Sequence, residues 1–136
     1  MPKPKILIVD DDADLRLALG RRLWANNYDT IQAQDGYTAI AVAQKEHPDL
    51  IVLDLGLPAA DGFVVLERLR SVDSLASIPV VVLTARDPRD NRERALKGGA
   101  AAFVQKPVNN AELLDIIRTR LIGSHAPSGA SASYAT

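Results

Sequence analysis

The chain has 136 residues, 47% of them hydrophobic and 24% charged, a balance that excludes a disordered or fibrous protein and fits one globular domain. Sixteen Lys and Arg against seventeen Asp and Glu leave a net charge of -1, which gives no reason to expect nucleic acid or an acidic membrane surface as the main partner. The absence of cysteine excludes disulfides and thiolate metal sites, and no N-terminal apolar run is long enough for a signal peptide or membrane span, so a soluble, cytoplasmic protein is expected.

Ile6–Val9 opens the pattern as a continuous apolar run of strand length. Continuity rather than alternation suits a parallel strand buried on both faces. A helix is predicted next, over about 12–25, with Leu15, Leu19 and Leu23 on one face and a stop before Asn26-Asn27. The weaker strand Thr30–Ala33 leads to a second helix from Asp35-Gly36. Tyr37, Ile40, Ala41 and Gln44 form its stripe, and it ends before His47-Pro48. Leu50–Leu53 is the third strand. Asp61 is the predicted N-cap of the third helix, which turns Phe63, Leu66 and Leu69 inward and Glu67, Arg68 and Arg70 outward. Val80–Leu83 is the fourth strand, and its helix runs from Asp87-Pro88 to Gly98-Gly99. Ala102–Val104 is the fifth. The last helix has the strongest start signal: Asn109 as cap, Glu112 at the third position and Val108 placed to staple onto Leu113. Five alternations of strand and helix make an α/β fold with an open parallel sheet. From Gly123 the residues become small, uncharged and aperiodic, so the expected division is a domain over 1–122 and a flexible tail or linker start over 123–136.

The residues that follow the strands carry the chemistry. Asp10, Asp11 and Asp12 end the first, Asp54 the third, Thr84 the fourth and Lys106 the fifth. In an open α/β sheet, ligands bind beyond the carboxyl ends of the strands, where the winding reverses. Carboxylates gathered there repel one another unless a cation is present, and Mg2+ favours a few carboxylates, waters and phosphate oxygens. Thr84 and Lys106 suit phosphate oxygens, which makes a phosphate the expected ligand. Taken singly, each residue has a plainer reading. Asp12 suits a helix N-cap, a strand-end threonine is commonly structural, and Lys106 alone is any solvated lysine. Their joint placement at four strand ends favours the functional one.

The segments Ile6-Leu-Ile-Val-Asp-Asp-Asp12, Asp49-Leu-Ile-Val-Leu-Asp-Leu55, Leu57-Pro58 with Asp61-Gly62, Leu83-Thr-Ala85 and Gln105-Lys-Pro107 together resemble the receiver domains of two-component response regulators. The resemblance runs in order from about Lys5 to Ile122. It implies a flavodoxin-like, doubly wound five-stranded sheet in the order 2-1-3-4-5. It also implies that Asp54 accepts a phosphoryl group and that Asp10 and Asp11 hold Mg2+, Asp11 and Asp54 directly, with the carbonyl of Gly56. Thr84 and Lys106 would contact the phosphoryl oxygens, and the peptide before Pro107 would be cis. Phe103 takes the family's aromatic switch position, with core packing as its alternative. Gly56 and Arg86 would flank the path of hydrolytic water and so tune the phosphoryl lifetime. The implied protein is a signalling switch rather than an enzyme, although it assists its own phosphorylation and dephosphorylation. A histidine kinase or histidine phosphotransfer protein would supply the phosphoryl group. The expected molecule is a stand-alone monomer or weak dimer, with no direct binding to nucleic acid or membrane.

Departures and rivals bear on that expectation. Gly56 stands where a larger side chain is common, and Ala101 and Ala102 replace a frequent acidic pair, which removes support for the dimer such acids help to build. Arg86, Arg89, Arg92, Arg94 and Lys97 interleave with Asp87, Asp90 and Glu93, so a solvated helix face is expected rather than a basic patch. Arg86 itself is expected to reach across the phosphoryl site, or else to face solvent or pair with Asp87 or Asp90. A flavodoxin-type FMN protein would need a Gly- and Ser/Thr-rich loop where three aspartates stand. A haloacid-dehalogenase-like phosphatase would need an acid at position 56. A docking scaffold that is never phosphorylated has no use for Asp54, Thr84 and Lys106 together. A receiver fragment of a longer regulator is the remaining alternative.

Overall fold

Backbone hydrogen bonding in the structure, a computed structural model that describes residues 2–58 and 61–125, turns the apolar runs into five parallel strands. These are β1 (Lys5–Val9), β2 (Asp29–Ala33), β3 (Leu50–Leu53), β4 (Val80–Thr84) and β5 (Ala102–Gln105). Their order is β2-β1-β3-β4-β5, the flavodoxin-like arrangement that the resemblance implies. The register places Ile8 between Gln32 and Val52, Val52 beside Val81, and Val82 beside Phe103. The chain leaves β1 toward β2 and returns to the other side of β1 to make β3, so the winding reverses between β1 and β3. Asp10 and Asp54 end those two strands.

The connecting helices are α1 (Ala13–Ala25), α2 (Gly36–Glu46), α3 (Gly62–Ser71), α4 (Pro88–Lys97) and α5 (Asn110–His125). Four aspartates start helices as N-caps, each satisfying an otherwise unpaired backbone N–H: Asp12 for Leu15, Asp35 for Thr38, Asp61 for Phe63 and Asp87 for Arg89. Asn109 does the same for Ala111 at 2.8 Å. Alternate strand residues face two cores. Leu7, Ile51, Leu53, Val80, Val82 and Phe103 pack with α2, α3 and α4, whereas Ile6, Ile8, Leu50, Val52, Val81 and Leu83 pack with α1 and α5.

Two expectations change. Of the Tyr37-Ile40-Ala41-Gln44 stripe of α2, Ile40 packs partly against the core, while Tyr37 is 81% exposed and Ala41 and Gln44 face outward. The buried face is Gly36, Ala39 and Ala43, because small side chains let α2 lie close to the sheet. The larger stripe instead lines a shallow groove shared with Val64, Val65 and Arg68 of α3. At the other end, α5 continues through His125, three residues beyond the expected limit at Ile122. The rest of the expected tail, 126–136, lies outside the described residues.

Candidate functional site

Asp10 continues the β1–β2 ladder by one bond, its N–H donating to the Ala33 carbonyl at 3.1 Å, and Asp54 does likewise to the Val9 carbonyl at 3.0 Å. The backbones that carry both carboxylates are thereby fixed on neighbouring strand ends. Asp10, Asp54 and Thr84 are the buried polar residues among those described, at 2%, 8% and 0% exposure. A buried carboxylate is costly unless it is paired, and each is. The Lys106 ammonium donates to Asp10 Oδ2 at 2.7 Å and to Asp54 Oδ2 at 3.4 Å. Asp10 Oδ1 accepts the Asp12 N–H at 2.9 Å, and Asp54 Oδ1 accepts the Gly56 N–H at 3.1 Å. Burial alone would lower the pKa of Lys106. The hydrogen bond to Asp10 and the charges of Asp54 and Asp10 outweigh it and hold Lys106 above its ordinary value, so it stays an ammonium.

Asp10, Asp11 and Asp54 bring one carboxylate oxygen each to within 4.8 Å of one another. An all-oxygen set with carboxylates on two sides fits a hard divalent cation such as Mg2+ and offers nothing to a soft metal. Asp12 stays outside this group as the α1 cap. Gly56 sits at the mouth: a Cβ there would come within 3.8 Å of the Asp54 carboxylate, so a larger residue would touch it and glycine leaves that side open. Gly62 shows how tightly α3 abuts the site. A Cβ on it would fall 2.3 Å from the Leu55 Cα and 2.6 Å from the Asp54 carbonyl oxygen, an approach that only glycine permits. The Lys106–Pro107 peptide is cis.

On the β4 side, Thr84 Oγ1 accepts the Arg86 N–H at 3.3 Å. Phe103 is buried at 7% exposure, and the register puts it on the same sheet face as Val82 and Thr84. Arg86 neither faces free solvent nor pairs with Asp87 or Asp90. Its guanidinium grips Asp61 with both amino groups, at 3.4 and 3.0 Å, and lies 5.9 Å from the centre of the Phe63 ring. Arg94 covers the same ring at 3.9 Å. The basic set is therefore only partly a solvated face. Lys97 pairs with Glu93 and Arg89 with Asp87 near the surface, but Arg86 and Arg94 fasten the β4–α4 segment to α3.

Two participants lack a local sequence signal. Arg16 donates to the Asp10 carbonyl at 2.5 Å and through Nε to Gln32 at 3.3 Å, bracing the aspartate turn against β2. Its distance of four residues from the Asp12 cap puts it one turn up α1, a hint that is weak without the fold. Asp61 reads from the sequence as a helix cap and as part of the Asp61-Gly62 motif, and nothing local links it to an arginine 25 positions away.

The comparisons with known proteins agree with this geometry. The family model described as "Response regulator receiver domain" matches residues 6–118. The response regulator PleD of Caulobacter vibrioides is 40% identical over 116 residues, which are 85% of this chain and 25% of PleD. The transcriptional regulatory protein PrrA of Mycobacterium tuberculosis is 38% identical over 118 residues, 87% of this chain and 50% of PrrA. The chain thus spans half or less of these relatives. A CheY-like receiver domain protein of Methanospirillum hungatei superposes with a TM-score of 0.84 at 27% identity, over 90% of this chain and 96% of that one. The receiver domain of the sensor histidine kinase PA1611 of Pseudomonas aeruginosa, solved with a magnesium ion in its active-site cleft, gives 0.80 at 29% identity, over 89% and 98%. Among the described residues no helix is long and apolar enough to cross a membrane. With the strand order, the acidic crevice and the family match all in agreement, the chain belongs to the response-regulator receiver family.

Proposed function

We propose that this chain is a phosphorylation-operated switch that receives a phosphoryl group on Asp54 from a phosphohistidine of a histidine kinase or phosphotransfer protein. The observation that carries the reading is Lys106 bridging Asp10 and Asp54 at the point where the winding reverses. An Asp54 carboxylate oxygen attacks phosphorus as the phosphorus–nitrogen bond breaks, and the imidazole keeps the electron pair. Such a transfer depends mainly on positioning and on neutralising the oxygens. Asp10, Asp11, Asp54 and the Gly56 carbonyl would hold Mg2+, which when bound supplies positive charge against the phosphoryl oxygens. Lys106 is already charged and within reach of Asp54, and Thr84 can turn its hydroxyl from the Arg86 N–H to a phosphoryl oxygen.

Inverting a two-state population takes about 5.5 kcal/mol of differential interaction. Hydrogen bonds to a charged group contribute about 1.5–3 kcal/mol each, so two or three new ones at phospho-Asp54 suffice. Phe103 would report the change by turning within its core site as Thr84 moves. Gly56 and Arg86, two residues past Asp54 and Thr84, would set how long the phosphoryl group lasts. The output in this reading is a switched surface for a protein partner in the cytoplasm, with the chain acting as a monomer or weak dimer and needing neither DNA nor membrane.

Intact-mass analysis after incubation with acetyl phosphate and Mg2+ tests it. Wild type should gain one phosphoryl group and Asp54→Asn none. An unmodified wild type, or equal modification of Asp54→Asn, would refute the assignment.

A further inference from the structure

We propose that Asp61 is a positioning residue that withholds Arg86 from the phosphorylated site, so that the Asp61–Arg86 pair sets the lifetime of phospho-Asp54. The inference rests on the reading of Asp54 as phosphoacceptor. Asp61 caps α3 through the Phe63 N–H at 2.9 Å, and α3 is pressed against Asp54 and Leu55 at Gly62. The ion pair therefore stands beside the phosphoacceptor segment rather than at a remote surface. Both guanidinium amino groups of Arg86 are committed to Asp61, and its backbone N–H to Thr84. One residue thus holds the β4–α4 segment at two points, and phosphorylation works against both. As Thr84 swings its hydroxyl to donate its proton to a phosphoryl oxygen, Oγ1 moves off the 3.3 Å bond it accepts from the Arg86 N–H. The phosphoryl group also competes with the Asp61 carboxylate for the guanidinium, which matches either anion in a two-pronged grip.

The competition decides the hydrolysis rate. Hydrolysis forms a bond from water oxygen to phosphorus and breaks the bond from phosphorus to the Asp54 oxygen, releasing inorganic phosphate and the free carboxylate. Gly56 offers no side chain to obstruct the water, so a guanidinium lying across the opening is the available barrier. Asp61 keeps it away for part of the time. An exposed pair of this kind is weak, which makes it suitable for partition rather than for permanent locking.

The test uses the full chain, phosphorylated with acetyl phosphate and Mg2+, freed of donor and followed by intact mass. Asp61→Asn keeps an N-cap acceptor for Phe63 but removes the charge, and Asp61→Ser is a second uncharged cap. Both should lengthen the phospho-Asp54 lifetime, by about two- to five-fold, the range that an exposed ion pair supports. On an Arg86→Gln background neither should change it, since the competing group is gone. A merely structural role for Asp61 would act on both backgrounds alike. An equal or shorter lifetime in the single variants, or the same lengthening with and without Arg86, would overturn the proposal. A wild type that never gains the phosphoryl group would instead overturn the assignment of Asp54, and this inference with it.

Discussion

Helices α3 and α4 are each ten residues long and flank the same strand ends, yet they are held by different forces. α3 buries Gly62, Phe63, Val65, Leu66 and Leu69, whereas α4 buries Ala95 alone. Apolar burial yields about 25 cal/mol per Å2, so α3 is fixed by several large side chains. α4 relies on Arg94 over Phe63, and the segment before it on the half-exposed Arg86–Asp61 pair. Exposed ion pairs contribute about 0–1 kcal/mol each. The helix that follows Asp54 is therefore the more firmly packed of the two, and the one that follows Thr84 is the more lightly held. A switch needs that asymmetry, because a charge placed on a rigid strand end acts only if something nearby yields.

Core truncation is the strongest way to break the comparison. Leu66→Ala in α3 should cost about 2–5 kcal/mol of unfolding free energy, the range for removing a buried leucine. Leu96→Ala in α4, at a position 41% exposed, should cost less than about 1 kcal/mol. Urea unfolding of both variants checks this, and similar losses would mean that α4 is anchored as firmly as α3.

Metal binding sharpens it from the rigid side. Asp10 and Asp54 are fixed by the ladders of β1 and β3, so Mg2+ should find the carboxylates gathered before it binds. At a hundred times its dissociation constant it should stabilise the fold by about 2.7 kcal/mol. Thermal melts would show the rise in wild type and its loss in Asp11→Ala. An equal rise in Asp11→Ala would place the ion elsewhere.

The yielding side is tested at Thr84. In the proposed switch, a hydrogen bond from Thr84 to the phosphoryl group would be worth about 1.5–3 kcal/mol, and Thr84→Ala would remove it without touching Asp54. The variant should still accept phosphate but lose the response of Phe103. The chain has two phenylalanines, so ring signals are readily assigned by NMR with and without a phosphate mimic. The Leu66 and Leu69 methyl signals should stay nearly still in both proteins. Matching Phe103 responses in variant and wild type would remove Thr84 from the coupling.

What the sequence made legible follows the same division. Strand ends are marked by where an apolar run stops, so Asp10, Asp54, Thr84 and Lys106 were readable, and the topology brought them together. The helix caps at Asp12, Asp35, Asp61, Asp87 and Asn109 were readable because a cap is local chemistry. The packed face of α2 was not. Periodicity marks Tyr37 and Ile40, but only Ile40 packs partly inward, and the close approach to the sheet selects Ala39 and Ala43, a distance set by the whole fold. The Asp61–Arg86 pair and the brace from Arg16 to the Asp10 carbonyl were hidden for the same reason: each joins residues whose nearness depends on completed packing.

The smallest expected effect concerns acid stability, and it measures the link between the two helices directly. Partial burial alone would raise the Asp61 pKa. The Phe63 N–H, the hydrogen bonds from Arg86 and the charges of Arg86 and Arg94 outweigh it and hold the carboxyl below its ordinary value. The folded protein therefore binds fewer protons at this residue than the unfolded chain does near pH 4. Its contribution to stability is complete above the unfolded-state pKa and is lost as pH falls through the lower, folded-state value. The Asp61 side chain is 44% exposed, so solvent screening keeps that contribution under about 1 kcal/mol. Asp61→Asn cannot titrate, and it keeps a cap acceptor. Between pH 6 and about pH 3, it should lose slightly less stability than wild type. Urea midpoints at the two pH values measure the difference. Identical losses would mean that the charge on Asp61 contributes nothing to holding α3 and the β4–α4 segment together, and that the pair is a contact without a grip.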